Sequence, residues 1–297
     1  MKKRGKIITS VTIFTTITTS ISSMYVLATR IANKIMYRTP TDDTNSEKTI
    51  PGQKVSIKNK QDMVLRGTYI PVSSATRTLI ILHPFKQQSS DLDQYITFFQ
   101  KKLGNTNILA VDARAHGKSD GYIHGLGIRD VEDLALWIRF IKRRNGNHHH
   151  ILIYGKEMGA NTALQGASSK KIHGVDVILS DGAYTSVYDI VARRIKKYRV
   201  APFPLLRLIR KKILHEVQIN IKESAVDLVK HNDIPTVFIH TRNDQLVPLK
   251  HVYALYNACR GKKELFVLKD ETYLYELEEE DDYKKSLFAF IEEYCHD

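Results

Sequence analysis

The final part of the chain lacks histidine: none occurs between Val252 and Cys295, and His296 is the penultimate residue. A loop near the C-terminal end therefore has no imidazole to offer as a general base. Cysteine is scarce too. Cys259 and Cys295 form no motif, which leaves at most one optional pair and argues against a disulfide framework or a thiolate metal site. Acidic residues are missing from two segments, residues 1–38 with seven Lys or Arg and residues 193–212 with nine. Elsewhere 29 bases meet 32 acids, so the net charge of +13 resides in two stripes on a near-neutral body. No nucleic-acid motif accompanies that charge, which argues against a nucleic-acid partner.

What remains is ordinary globular composition. With 297 residues, 42% apolar and 26% charged, the chain has room for one large α/β domain with a full core. Near the N-terminus, Lys2, Lys3, Arg4 and Lys6 precede a charge-free run from Ile7 to Ala28, and Arg30, Lys34 and Arg38 follow it. The 22 residues of that run, at 1.5 Å per residue, match a bilayer core of about 30 Å. Ten of them are Ser or Thr, whose hydroxyls can bond back to helix carbonyls. An uncleaved single-pass signal anchor in the cell membrane fits this length; a cleaved signal peptide is the alternative. The denser basic cluster at the N-terminus predicts that end inside and the domain outside.

The chain divides into an anchor with basic flanks (1–38), a polar linker (39–52) and a domain (53–297). Within the domain, Val55–Ile57 and Met63–Tyr69 predict an antiparallel strand pair. Short apolar runs at 78–83, 107–112, 150–154, 175–180, 236–240 and 264–269 then alternate with helical patterns at 92–103, 127–144, 159–168, 249–258 and 282–295. Such alternation predicts βαβ units and a mostly parallel sheet. In the second helix Val131, Leu134, Ala135, Ile138 and Ile141 form a core stripe, with Trp137 packing beside it. About 184–232 the alternation breaks, and helical patterns without a strand predict a cap. The second basic stripe lies there, interleaved with Leu205, Leu206, Leu208 and Ile209, as in stretches that lie on anionic lipid.

One segment stands apart. Gly155-Lys156-Glu157-Met158-Gly159-Ala160 follows the apolar run Ile151–Tyr154 and enters a helical pattern. This is the strand, sharp turn and helix of a nucleophile elbow, G-x-S-x-G, with glutamate in the serine slot. Gly117-Lys118-Ser119-Asp120-Gly121 fits the same pattern literally, but it opens no helix, and Ser119 is not expected to be a nucleophile. Three consecutive histidines, His148 to His150, do not converge on one metal ion and read as strand-start residues. His116 and His240 read as structural hydrogen-bonders, and the acidic run Glu276–Asp282 as a helix entry.

Several further segments carry a resemblance. They are Leu79–Phe85, Val111–Gly121 (with Asp112, Arg114, His116, Gly117 and Ser119 standing as in D-x-R-G-H-G-x-S), Gly127–Asp133, Ile234–His240 and Asn243–Pro248. Together with the elbow they resemble the α/β-hydrolase superfamily, and within it the membrane-anchored bacterial branch related to serine aminopeptidases. The resemblance implies a mostly parallel eight-stranded sheet flanked by helices, with a helical cap insertion and an N-terminal transmembrane helix. It implies a triad in the order Ser, Asp, His. Glu157 occupies the first position and Asp244 the second; the third falls near Thr272 or Tyr273, where no histidine exists. The oxyanion-hole positions are the backbone amides of Phe85 and Met158, with Pro84 in place of the usual glycine. Glu157 is expected to accept those two amide bonds, giving an occupied hole.

The expected function follows from the losses. A membrane-anchored hydrolase-like protein without ordinary serine chemistry would act by binding, with a small molecule in the vestigial pocket and the membrane as partner through its N-terminal helix. No cofactor and no metal is implied. The alternatives are an ester or amide hydrolase using Glu157 and Asp244, and anionic membrane-surface binding through the basic cap.

Overall fold

Strands form where branched and aromatic residues run together, and here the inner runs are buried on both faces while the edge runs are not. A computed structural model of the chain describes residues 22–39, 49–269, 273–277 and 281–295. Its sheet has eight strands in the order β1-β2-β4-β3-β5-β6-β7-β8, where β1 is Gln53–Lys58, β2 Val64–Ile70, β3 Arg77–Leu82, β4 Thr106–Val111, β5 His150–Lys156, β6 Val177–Asp181, β7 Thr236–Thr241 and β8 Lys263–Leu268. The β1–β2 and β2–β4 pairs are antiparallel and every other pair is parallel. The central strands β4 and β6 are buried at every position, as covering helices on both faces require. The edge strand β1 alternates and carries Lys54 and Lys58, which discourage further pairing.

Helices α2 (Asp93–Lys102) and α9 (Asp282–Tyr294) cover one face, on a core that includes Ile81, Phe99, Tyr154 and Ile291. Helices α3 (Asp130–Asn145), α4 (Met158–Ser168) and α8 (Lys250–Ala258) cover the other. In α3 three acids open the first turn and Lys142, Arg143 and Arg144 close the last, both favourable to the helix dipole. Trp137 is buried in that core against Phe140. At the entry to α9, Asp281 accepts the Tyr283 amide at 2.8 Å.

The cap between β6 and β7 holds α5 (Val187–Lys197), α6 (Leu205–Val217) and α7 (Ala225–Val229). Its apolar face builds a third core with a further helix, α1, over residues 22–36. Ala28, Ala32 and Met36 recur every fourth residue of α1, are fully buried, and pack with Val191, Ile195, Leu206, Ile209 and Ile213. Beyond α1 the chain is bonded to the main domain. The Met36 carbonyl accepts the His124 amide at 2.8 Å, and Arg38 donates to the Gly117 carbonyl at 2.6 Å and the Ser119 carbonyl at 3.1 Å. Residues 22–38, read in the sequence as anchor and flank, therefore contribute to the core of the cap. Among the described residues no helix is long and apolar enough to cross a membrane. The charge-free run Ile7–Ala28 lies outside the described residues except for 22–28, which belong to α1.

Candidate functional site

Glu157 sits between β5 and α4 with φ 47° and ψ −104°, a conformation that non-glycine residues rarely adopt. The surroundings enforce it. The Glu157 amide donates to the Asp181 carbonyl at 2.7 Å, and the Glu157 carbonyl accepts the Asn161 amide at 3.0 Å. Two glycines leave the necessary room: a Cβ on Gly155 would stand 2.4 Å from the Gly159 carbonyl carbon, and one on Gly159 would stand 2.3 Å from the Leu82 oxygen. The sharp turn read from the sequence is thus present, with a carboxylate at its tip.

Above the tip lies a cavity of about 600 Å³. Glu157, Met158 and Phe85 line it from the sheet side. Leu27, Ile31 and Ile35 of α1 and Val187, Val191, Arg194 and Ile195 of α5 line it from the cap. Phe85, Glu157 and Met158 all line this one cavity. The expected bonds between them are not made. Among the described residues no donor reaches the Glu157 carboxylate, and the amides of Phe85 and Met158 meet no acceptor. The hole is not filled by its neighbour, because the turn delivers the side chain into the cavity. Burial pushes the Glu157 carboxyl above its ordinary range; Lys156 opposes this, Asp244 and Asp181 reinforce it, and Arg194 opposes it more weakly.

Asp244 follows β7, close enough for its charge to act on Glu157, but Leu246 rather than Asp244 lines the cavity. One carboxylate oxygen of Asp244 accepts the amides of Leu246 and Val247, each at 2.7 Å. The residue thus shapes its own turn. Among the described residues no histidine lines the cavity. Thr272 lies outside the described residues. Tyr273, the neighbouring candidate for the third position, leads into a short turn of 3-10 helix, Leu274–Glu276.

That loop is held on the other face of the sheet by Lys156. Successive strand residues point to opposite faces, so Lys156 shares a side with Tyr154 and not with the cavity. Its ammonium lies 3.1 Å from Asp181 and over the rings of Tyr95 at 5.2 Å and Tyr273 at 5.4 Å. Asp181 also accepts the Tyr154 hydroxyl at 2.6 Å. Burial opposes the Lys156 charge, but Asp181 and the tyrosines outweigh it and hold the ammonium above its usual range. This group was missed in the sequence, although the alternation of Tyr154 and Lys156 and the tyrosines near 273 carry the signal.

The remaining candidates hold structure. Ser119 is buried, donates to the Asp112 carbonyl at 2.7 Å and accepts the Arg66 amide at 2.8 Å. Arg114 forms a buried two-pronged pair with Asp133 at 2.7 and 2.8 Å. His116 packs between His83 and His124, and burial drives its pKa well down, leaving a neutral ring. His240 bonds the Val247 carbonyl at 2.6 Å. His149 bonds Thr78 while His150 pairs with Asp176, so neighbouring histidines point to different partners. A chain of Asp189, Thr185 and His251 resembles a triad in composition, yet it lies at the start of α5 beside the Ser186 cap and none of the three lines the cavity.

The chain matches no protein-family profile. It is 26% identical to the uncharacterized protein YqkD of Bacillus subtilis over 208 residues, 69% of this chain and 68% of that protein. It is 22% identical to the uncharacterized protein YfhR of Escherichia coli over 273 residues, 89% of each. Among solved structures it is similar to the Pyrococcus furiosus esterase Pf2001, with a TM-score of 0.65 at 22% identity, over 84% of this chain and 93% of that one.

Proposed function

Since the chain has the α/β-hydrolase fold, we propose that it is a membrane-anchored binding protein built on that fold, without ordinary serine hydrolase activity. One observation carries this reading: a glutamate stands at the tip of the elbow, and among the described residues no histidine lines the cavity above it. A serine triad needs an alcohol and an imidazole to take its proton, and both positions are substituted. The cavity is retained without them, and its walls are mostly apolar, as ligand sites are. Purified full-length protein is expected to turn over neither acyl esters nor amides and to resist fluorophosphonate labelling. Labelling at Ser119, or steady turnover, would overturn the proposal.

A second reading draws support from the same geometry. The Glu157 carboxylate is unbonded, faces an open cavity and stands beside two amides without acceptors. A carboxylate so placed could attack a substrate, with Asp244 nearby. Its covalent intermediate would then need a base-activated water, and among the described residues no imidazole lines the cavity to activate one. Turnover abolished by Glu157→Gln with folding retained is the result that would favour this reading.

The cap supports membrane contact. Arg193, Arg194, Lys196, Lys197 and Arg199 are exposed at one end of α5, and Tyr198 and Phe203 stand among them at 80% and 72% exposure. Cations around exposed aromatic rings suit an anionic lipid surface. Binding to phosphatidylserine vesicles should weaken as salt rises, and should fall on replacement of these bases by glutamine.

A further inference from the structure

We infer that a second cavity, at the β1–β2 edge of the sheet, binds a phosphate group, either the free ion or the head of a small phosphomonoester. Its volume is about 260 Å³, below the usual span of drug-sized ligand pockets and suited to a small anion. Strand register builds one wall. Lys54 pairs with Thr68 and Ser56 with Arg66, so these four side chains share a face, the one opposite to Leu65 and Tyr69. Ser89 and Ser90, which open the short 3-10 turn Ser89–Leu92, form another wall, and Asp112 and Lys118 of the loop after β4 complete the lining. The site is separate from the cavity over Glu157 and shares no lining residue with it.

Charge points to the occupant. Lys54, Arg66 and Lys118 line this cavity against one acid, Asp112. Asp112 is already committed: its two oxygens accept the amides of Ser89 at 2.8 Å and Lys118 at 2.9 Å. Lys54 turns back over the sheet and donates to the Ile50 carbonyl at 2.8 Å and the Thr68 hydroxyl at 3.0 Å, so its charge meets no carboxylate. Arg66 spends one terminal nitrogen on the carbonyls of Val64 and Lys118 and on Asp120; among the described residues no acceptor meets its other two nitrogens. Among the same residues the Lys118 ammonium has no bonded partner, and neither have the hydroxyls of Ser89 and Ser90, both buried residues. Burial and the charge of Lys118 push the Lys54 pKa down, so the two ammonium groups are near enough to repel. An anion between them relieves that repulsion. A phosphate answers this arrangement better than a carboxylate does, because it carries more charge and has enough oxygens to meet a guanidinium, two ammonium groups and hydroxyls at once.

Calorimetric titration of the full-length chain with sodium phosphate, glycerol phosphate and sodium acetate, in a phosphate-free buffer at about 150 mM chloride, tests this. Phosphate should fill one saturable site, with acetate weaker by about tenfold or more. Saturation by inorganic phosphate alone supports the site and identifies the free ion; saturation by glycerol phosphate as well supports it and identifies the phosphomonoester head. Lys118→Ala removes no side-chain bond seen among the described residues and should weaken binding about tenfold. Lys60→Ala, at an exposed lysine in the β1–β2 turn outside the cavity, should leave binding unchanged. Failure of both phosphates to saturate below about 10 mM would overturn the site, as would undiminished binding by Lys118→Ala. An equal loss in Lys60→Ala would reduce the effect to overall charge, and acetate binding as well as phosphate would overturn the ligand class.

Discussion

Lys156 and Glu157 are adjacent in the chain and opposite in circumstance. The lysine points to the α2 and α9 face, where one carboxylate and two tyrosine rings surround its charge. The glutamate points to the cap face, where no donor among the described residues meets it. A buried charge is tolerated when it is paired and hydrogen-bonded, and is destabilising when it is not. The first charge is therefore explained by the fold. The second is not, and an unpaired carboxyl at a strained turn facing a cavity is a feature of function rather than of stability.

The turn itself is the most fragile part of this contrast. Gly159→Ala drives a methyl group into the Leu82 carbonyl and should destabilise the protein by about 3 kcal/mol or more, read as a fall in urea midpoint. Lys156→Met should come next. It leaves the Asp181 carboxylate buried without its cation, at a loss of about 3 kcal/mol; Lys156→Met with Asp181→Asn should recover much of it. If the single variant unfolds like the parent, the clamp is not what holds the 273–276 loop.

Carboxylates buried without a bonded cation should behave in the opposite sense. Asp130 is fully buried; burial and Asp133 lift its pKa to about 6, against the opposing pull of Arg114. The folded state then holds its proton more tightly than the unfolded chain. Its contribution is fully present below the unfolded value of 3.8 and is lost as pH rises through about 6. Asp130→Asn should therefore stabilise the protein at pH 7 by about 3 kcal/mol, with the gain nearly gone at pH 4. Glu157→Gln should show the same sign with a smaller amplitude, since Glu157 is half-buried and its charge is partly offset by Lys156 and Arg194. Thermal melts at several pH values separate the two. Smallest of all, Glu157→Ser should restore no esterase activity, because the alcohol would still lack a base. Measurable turnover in that variant would show that a proton acceptor lies within reach.

Much of this was legible in the sequence because periodicity and punctuation report the backbone. Apolar runs gave the strands, the two glycines of 155 and 159 gave the turn, and the break in alternation gave the cap. What stayed hidden were relations between side chains distant in sequence. The occupied hole was inferred from charge complementarity alone, whereas the backbone angles at Glu157 carry its carboxylate into the cavity. The Lys156 cluster joins α2, β5, β6 and the 273–276 loop, and nothing local announces that meeting. The boundary at residue 38 was drawn from charge, but α1 holds alanines at helical spacing, small enough to seat against the cap.

That last point bears on how the protein is handled. A version trimmed to the first strand would look well chosen by composition, yet it would strip the lining from one side of the chamber and bare Leu206, Ile209 and Ile213. Such a fragment would present a sticky, half-open vessel, and any silence from it in a ligand screen would describe the cut, not the protein.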